Sequence, residues 1–238
     1  RLRRDRVDER REAVLPGITV AASRRAVRIS SEVPLTTLSS AVVGGGQAVV
    51  HEILNLHVDD KYDGGRPDED LAAAAAELGV DGPFVGLMTA AYTEFATWAV
   101  ESAGDLSVAA VVSVGLSNSS SAGITPPIGH EAPAPGTINI VLLVDGALTS
   151  SALVNAVITA TEAKTMTLAE WDVRTADGEA ASGTSTDAVV IACTGRGEAC
   201  DYAGPATPVG WLAARAVRAA MTRSCSEKVE RDVGRRGW

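Results

Sequence analysis

Three residues stand where proton transfer could be organised: Glu162, Asp187 and His57. Glu162 sits in a helix-favouring run beside Ala160 and Ala163. A carboxylate turned from there toward a sheet would lose part of its solvation and become a candidate general base. On a solvated face it would pair with Lys164 instead. Asp187 follows Thr184 and Thr186 just before an apolar run, a place from which it could orient a base, hold a substrate amide or cap a turn. His57 falls on the same strand face as His51 and Asn55, where an imidazole can shuttle protons or simply be solvated.

Other polar groups are placed to hold a ligand. Ser39 and Ser40 lead toward Gly44, Gly45 and Gly46, and three consecutive glycines either bring main chain close to a ligand or make a tight turn. Ser117 and Asn118 follow an apolar run, where hydroxyl and amide could bind a carbonyl or close an Asx-type turn. Tyr62, Tyr92 and Tyr202 border loops and suit ligand contact, whereas Trp98 and Trp211 sit on helix-like patterns and belong to a core. There is no G-x-S-x-G elbow, no H-E-x-x-H helix and no Cys/His pair at a familiar spacing, so neither a serine hydrolase nor a zinc hydrolase is signalled. Cys193, Cys200 and Cys225 are spaced for neither a zinc knuckle nor a disulfide framework, and no metal site is expected.

The elements that must position these groups alternate in type. Residues 18–22 and 26–30 read as a hairpin, 38–43 and 49–58 as strands, and 67–78 as a helix opened by Pro67 and an acidic first turn. Residues 84–91 are short and apolar, and 93–101 have helical character. The runs 108–116, 138–144 and 188–192 are continuous and β-branched, as in strands buried on both faces. Helices are predicted at 150–167 and 205–225, and a long Ser-, Gly- and Pro-rich loop at 117–136. This alternation predicts a single-domain α/β fold over residues 1–238, a mixed β-sheet covered by helices, with a charged and frayed start at 1–15 and a charged tail at 226–238.

A net charge of −9 and a pI near 4.9 argue against a nucleic-acid partner, because phosphate neutralisation needs clustered Lys and Arg. No apolar run reaches the ~18 residues of a membrane span, and no leader pattern opens the chain. A cytoplasmic protein without membrane or nucleic-acid partners is expected, its oligomeric state open.

Several segments in order resemble one family. They are Ser39-Ser40-Ala41 with Gly44-Gly45-Gly46, Ile53-Leu54-Asn55, Tyr62, Gly86-Leu87-Met88-Thr89-Ala90-Ala91, and Gly115-Leu116-Ser117-Asn118 with Ala122-Gly123. Gly136-Thr137-Ile138-Asn139-Ile140, Ala160-Thr161-Glu162-Ala163-Lys164-Thr165, Gly183-Thr184-Ser185-Thr186-Asp187 and Tyr202-Ala203-Gly204 complete the set. Together they span about residues 33–220 and resemble the adenosylcobinamide amidohydrolases. Val43 and Ser119-Ser120-Ser121 depart from the family pattern and bear on which amide is cut.

The resemblance implies hydrolysis of the amide joining an aminopropanol arm to the corrin ring of adenosylcobinamide, releasing adenosylcobyric acid for salvage. It implies a corrinoid substrate, with Asn139, Thr186 and Tyr202 among the substrate contacts; the sequence itself requires no cofactor. A corrinoid-binding paralogue without catalysis, or an amidase acting on another amide, are the alternatives. The loops at 117–123 and 194–204, the glycine turn and residues 183–187 are expected to converge on one cleft. There Ser40, Asn55, Asn118, Glu162 and Asp187 would meet, Glu162 activating water while Asn118 and the glycine turn steady the oxyanion.

Overall fold

The computed structural model describes residues 9–59, 61–62, 64–127 and 136–235, with side chains through residue 227. In chain order the elements are β1 (Arg10–Leu15), β2 (Ile18–Ala22), β3 (Ala26–Ser39), β4 (Gly46–His57), α1 (Pro67–Glu77), β5 (Phe84–Thr89), β6 (Thr97–Ala103) and β7 (Leu106–Val114). Then follow β8 (Ser119–Ser120), β9 (Ile138–Asp145), β10 (Ala147–Leu148), α2 (Ser150–Glu170), β11 (Gly183–Thr184), β12 (Ala188–Cys193), β13 (Ala199–Cys200) and α3 (Pro208–Arg235).

The long strand β3 explains the architecture. One of its edges carries β4 along both halves, and the other carries β2 on the first half and β12 on the second. Pairing with β4 is interrupted between Ser30 and Leu35, around Pro34, which has no N–H to give a ladder. Beyond that break the sheet runs β12-β9-β7-β6, with β12 parallel to β9 and the others antiparallel, while β5 adds parallel to β4.

The sheet folds back on itself, so the apolar strands are buried on both faces as their composition predicts. Even-numbered residues of β7 and β9, such as Val112, Ile140 and Leu142, pack against α2 and α3. Odd-numbered ones, Ala109, Val111, Val141 and Leu143, face Ile18, Val20, Ile29, Ile53 and Leu87 of the folded-back half. The α1 helix covers the far side of β4 through Leu71, Ala74 and Ala75. The three predicted central strands are neighbours in one sheet, and the two predicted helices cover it.

Three sequence expectations change. Residues 97–103 form strand β6 rather than helix, because the two-residue turn Gly104-Asp105, with Gly104 at φ 58°, makes a hairpin with β7 that overrides local propensity. Trp98 is therefore a buried strand residue, its Nε1 donating to Glu12 at 2.7 Å and its ring under the Arg10 guanidinium at 4.0 Å. Those contacts hold residues 10–15 as an edge strand where a frayed end was expected; the charged residues 1–8 lie outside the described residues. The last helix starts at Pro208, where Thr207 accepts from Gly210 N–H, and runs to Arg235, so the expected tail is helical through that residue.

Candidate active site

Along the inner face of the fold-back, apolar side chains give way to polar ones at the same end of three strands. Ser113 on β7, Asn139 on β9 and Asn55 on β4 each lie two residues beyond a core position, and all three are buried. Asn55 donates to Ser113 Oγ at 2.9 Å and accepts from Asn139 Nδ2 at 2.8 Å; Asn139 Nδ2 also donates to the Met88 carbonyl at 2.9 Å. A cavity of about 280 Å³ opens beside this relay. Its walls are Ser40 and Val42 after β3, Val58, Asp59 and Tyr62 after β4, residues 87–90 of β5 and its exit, Gly136, Thr137 and Asn139, and Thr186, Asp187 and Ala188 entering β12.

Asp187 is held on both of its carboxylate oxygens. Its Oδ1 accepts from Ile138 N and Thr184 N, each at 3.1 Å, and from the Thr184 hydroxyl, while Oδ2 pairs with Lys164 Nζ. The pair is almost dry, with side chains 9% and 13% exposed for Lys164 and Asp187. It exists because Gly183 has no side chain: a Cβ there would lie 2.3 Å from Asp187 Oδ2 and 2.6 Å from Lys164 Nζ. Beside it, the Thr186 hydroxyl donates to the Gly136 carbonyl at 2.8 Å, so the 2.7 Å contact with Thr137 Oγ1 is a donation from Thr137. Ser40 Oγ accepts from Val189 N–H at 3.1 Å and keeps its own proton for a ligand.

Of the residues singled out from sequence, Ser40, Tyr62, Asn139, Thr186 and Asp187 line this cavity, and Asn55 stands one hydrogen bond behind it. Asn118 and Ser117 border it at Gly136, where Asn118 bonds Ser185 Oγ at 2.7 Å. His57 shares the face of Asn55 but gives its Nδ1 to the Ala91 carbonyl at 3.0 Å and packs on Tyr92, outside the lining. The loop at 117–136 is described through residue 127 and at Gly136.

Three further expectations are corrected. Glu162 is exposed on α2, away from the sheet, and is no part of the cavity. The inward positions of that helix are Ala156, Ala160, Ala163, Lys164 and Thr167, spaced by three and four, and Glu162 falls between them. Gly44, Gly45 and Gly46 with Ser39 build a turn rather than the cavity wall. A Cβ at Gly44 would meet the Phe84 carbonyl at 2.6 Å, one at Gly45 the Ala41 carbonyl at 2.5 Å, and Ser39 Oγ donates to the Gly44 carbonyl. Residues 194–204, Tyr202 included, leave the opposite edge of the sheet, because β12 runs antiparallel to β7 in space through parallel pairing with β9. Tyr202 is 71% exposed there.

Lys164 is the residue that sequence reasoning underrated, as a partner for Glu162 rather than for Asp187; the helical period would have found it. Cys193 is no nucleophile for this site: it lies in the helix-side core, where burial pushes its thiol above the usual range despite backbone hydrogen bonds from Leu148 and Gly195. Among the described residues no cluster of three or more His, Cys, Asp or Glu is gathered as a metal site.

The fold is thus α/β, with a polar cavity at the strand ends and a nearly buried ion pair beside it. The model of the adenosylcobinamide amidohydrolase family matches residues 12–232, and the chain belongs to that family. It is 34% identical over 166 residues to an adenosylcobinamide amidohydrolase of Methanosarcina mazei, covering 70% of this chain and 72% of that protein. It is 40% identical over 126 residues to one of Halobacterium salinarum, covering 51% of each, so the match spans about half that relative's length. Among solved structures, a beta-aminopeptidase from Burkholderia sp. superposes with a TM-score of 0.48 and 14% identity, covering 88% of this chain and 84% of that one.

Proposed function

We propose that this protein hydrolyses the amide joining the aminopropanol arm of adenosylcobinamide to its corrin ring, releasing adenosylcobyric acid and the free amine. The observation that carries the reading is the cavity wall itself: family blocks distant in sequence supply Ser40, Met88, Thr137, Asn139 and Asp187 to one small polar space. At about 280 Å³ the space falls just below the ~300–1,000 Å³ of small-molecule sites. That suits a side-chain arm and its amide, with the corrin disc resting outside against exposed groups such as Val42.

The chemistry follows from which lone pairs and protons are left. Asp187 Oδ1 is saturated by three donors, but Oδ2 has one and retains capacity for another. Oδ2 takes the proton as water adds its oxygen to the amide carbon. The C–N bond then breaks, the ring keeps the oxygen as its acid, and the amine leaves with that proton. The Ser40 proton is available to the carbonyl oxygen as charge develops on it. Lys164 holds the carboxylate in place and balances its charge.

The test is to incubate purified protein with adenosylcobinamide and follow ring acid and 1-aminopropan-2-ol together. Equimolar appearance of both supports the reading. Intact substrate, or ammonia released from the unsubstituted ring amides, contradicts it.

A further inference from the structure

Asn139 is 1% exposed and lines the cavity, and its Oδ1 is buried without a hydrogen-bond partner among the described residues. Buried side-chain acceptors are nearly always satisfied, and leaving one unmade is costly. Turning the amide over does not solve the problem. Nδ2 donates to two oxygens, Asn55 Oδ1 and the Met88 carbonyl, and the carbonyl can only accept. A reversed Asn139 would set its oxygen against that carbonyl whichever way the Asn55 amide is turned on Ser113 Oγ, which can donate or accept. The relay therefore leaves Asn139 only its acceptor to offer, beside a cavity in which the Ser40 hydroxyl has a proton to give.

An acceptor and a donor on the wall of one cavity complement the N–H and C=O of a secondary amide. We infer that Asn139 Oδ1 accepts the N–H of the scissile amide and makes the site selective for secondary amides over esters and tertiary amides of the same shape. This rests on the hydrolytic reading above and adds which atom reads the bond. Sites that hydrogen-bond a substrate N–H reject analogues lacking it because the buried protein group is then stranded.

A rival role for Oδ1 is visible in the same geometry. Behind Asn139 lies a void of about 10 Å³, bordered by Asn55 and Ser113, close to the least space that holds one water. If Oδ1 serves only such a water, Asn139 is structural and has no say in which bond is cut.

The test compares kcat/KM for adenosylcobinamide and for its analogue with an ester oxygen in place of the amide N–H, in the parent and in Asn139→Ala and Asn139→Leu. The greater intrinsic reactivity of the ester is common to all three proteins and cancels in the ratio of ratios. The amide-to-ester ratio is expected to fall about 10- to 100-fold in both variants, the range set by stranding one buried acceptor. General loss of stability in a variant lowers both rates and leaves the ratio unmoved. A ratio within about twofold of the parent's, less than ~0.5 kcal/mol of discrimination, overturns the inference while the parent's turnover keeps the hydrolytic reading standing. Absence of turnover of either compound by the parent removes the reading, and the inference with it.

Discussion

Replacing Lys164 by methionine keeps the length of the side chain and its packing under α2 while removing the charge that Asp187 Oδ2 meets. Breaking a buried ion pair from one side costs ~3–5 kcal/mol because the remaining charge is left uncompensated. Here both side chains are nearly buried, at 9% and 13% exposure. Asp187 nonetheless keeps three donors on Oδ1, from Ile138 N, Thr184 N and the Thr184 hydroxyl. Those bonds, together with access from the cavity, place the loss at the lower end, about 3 kcal/mol. For a chain of this size, with a urea m-value near 3 kcal/mol per molar, the unfolding midpoint should fall by about 1 M at unchanged slope. Adding Asp187→Asn to Lys164→Met removes the stranded carboxylate, so the double variant should be more stable than the sum of the single losses by about 2 kcal/mol. A midpoint shift under ~0.3 M for Lys164→Met, or additivity of the two substitutions within ~0.5 kcal/mol, would refute the view that this pair is a coupled, buried element of the wall.

Two further substitutions probe the same neighbourhood. Gly183→Ala pushes a methyl to within 2.3 Å of Asp187 Oδ2; since Asp187 is held by three donors and cannot yield freely, we expect a loss of about 1–3 kcal/mol in thermal or urea unfolding together with reduced turnover, and unchanged behaviour would show that the pair has room to move. Glu162→Gln alters only an exposed helix position, so stability should stay within ~0.5 kcal/mol of the parent and turnover within about twofold, as measured side by side with adenosylcobinamide.

Much of the scaffold was legible because it follows from local rules. The runs that became β7, β9 and β12 are mostly apolar and β-branched, as strands covered on both faces are, and Pro67 with its acidic first turn marks the start of α1. What could not be read was long-range. Residues 10–15 become a strand through Trp98 and Arg10, which are 88 residues apart in sequence. The fold-back depends on β3 changing partners from β2 to β12, a choice no local pattern announces.

The site divides in the same way. Ser40, Asn139, Thr186 and Asp187 fell within ordered sequence blocks and do share a cavity. Glu162 was misplaced by attending to small neighbours instead of the three-and-four spacing that turns Lys164 inward. The loop at 194–204 was misplaced because strand direction, not composition, decides which edge a loop leaves.

The proposed hydrolysis takes place in the cavity between β5 and the entrances to β9 and β12. Val42 lines that cavity yet is 50% exposed, so Val42→Trp can obstruct it without repacking the core. The decisive measurement is kcat/KM of Val42→Trp for adenosylcobinamide at unchanged unfolding midpoint. We predict a fall of at least about tenfold, equivalent to ~1.4 kcal/mol of lost transition-state stabilisation. Turnover equal to the parent's, with the indole seated in the cavity, would contradict the placement of the active site.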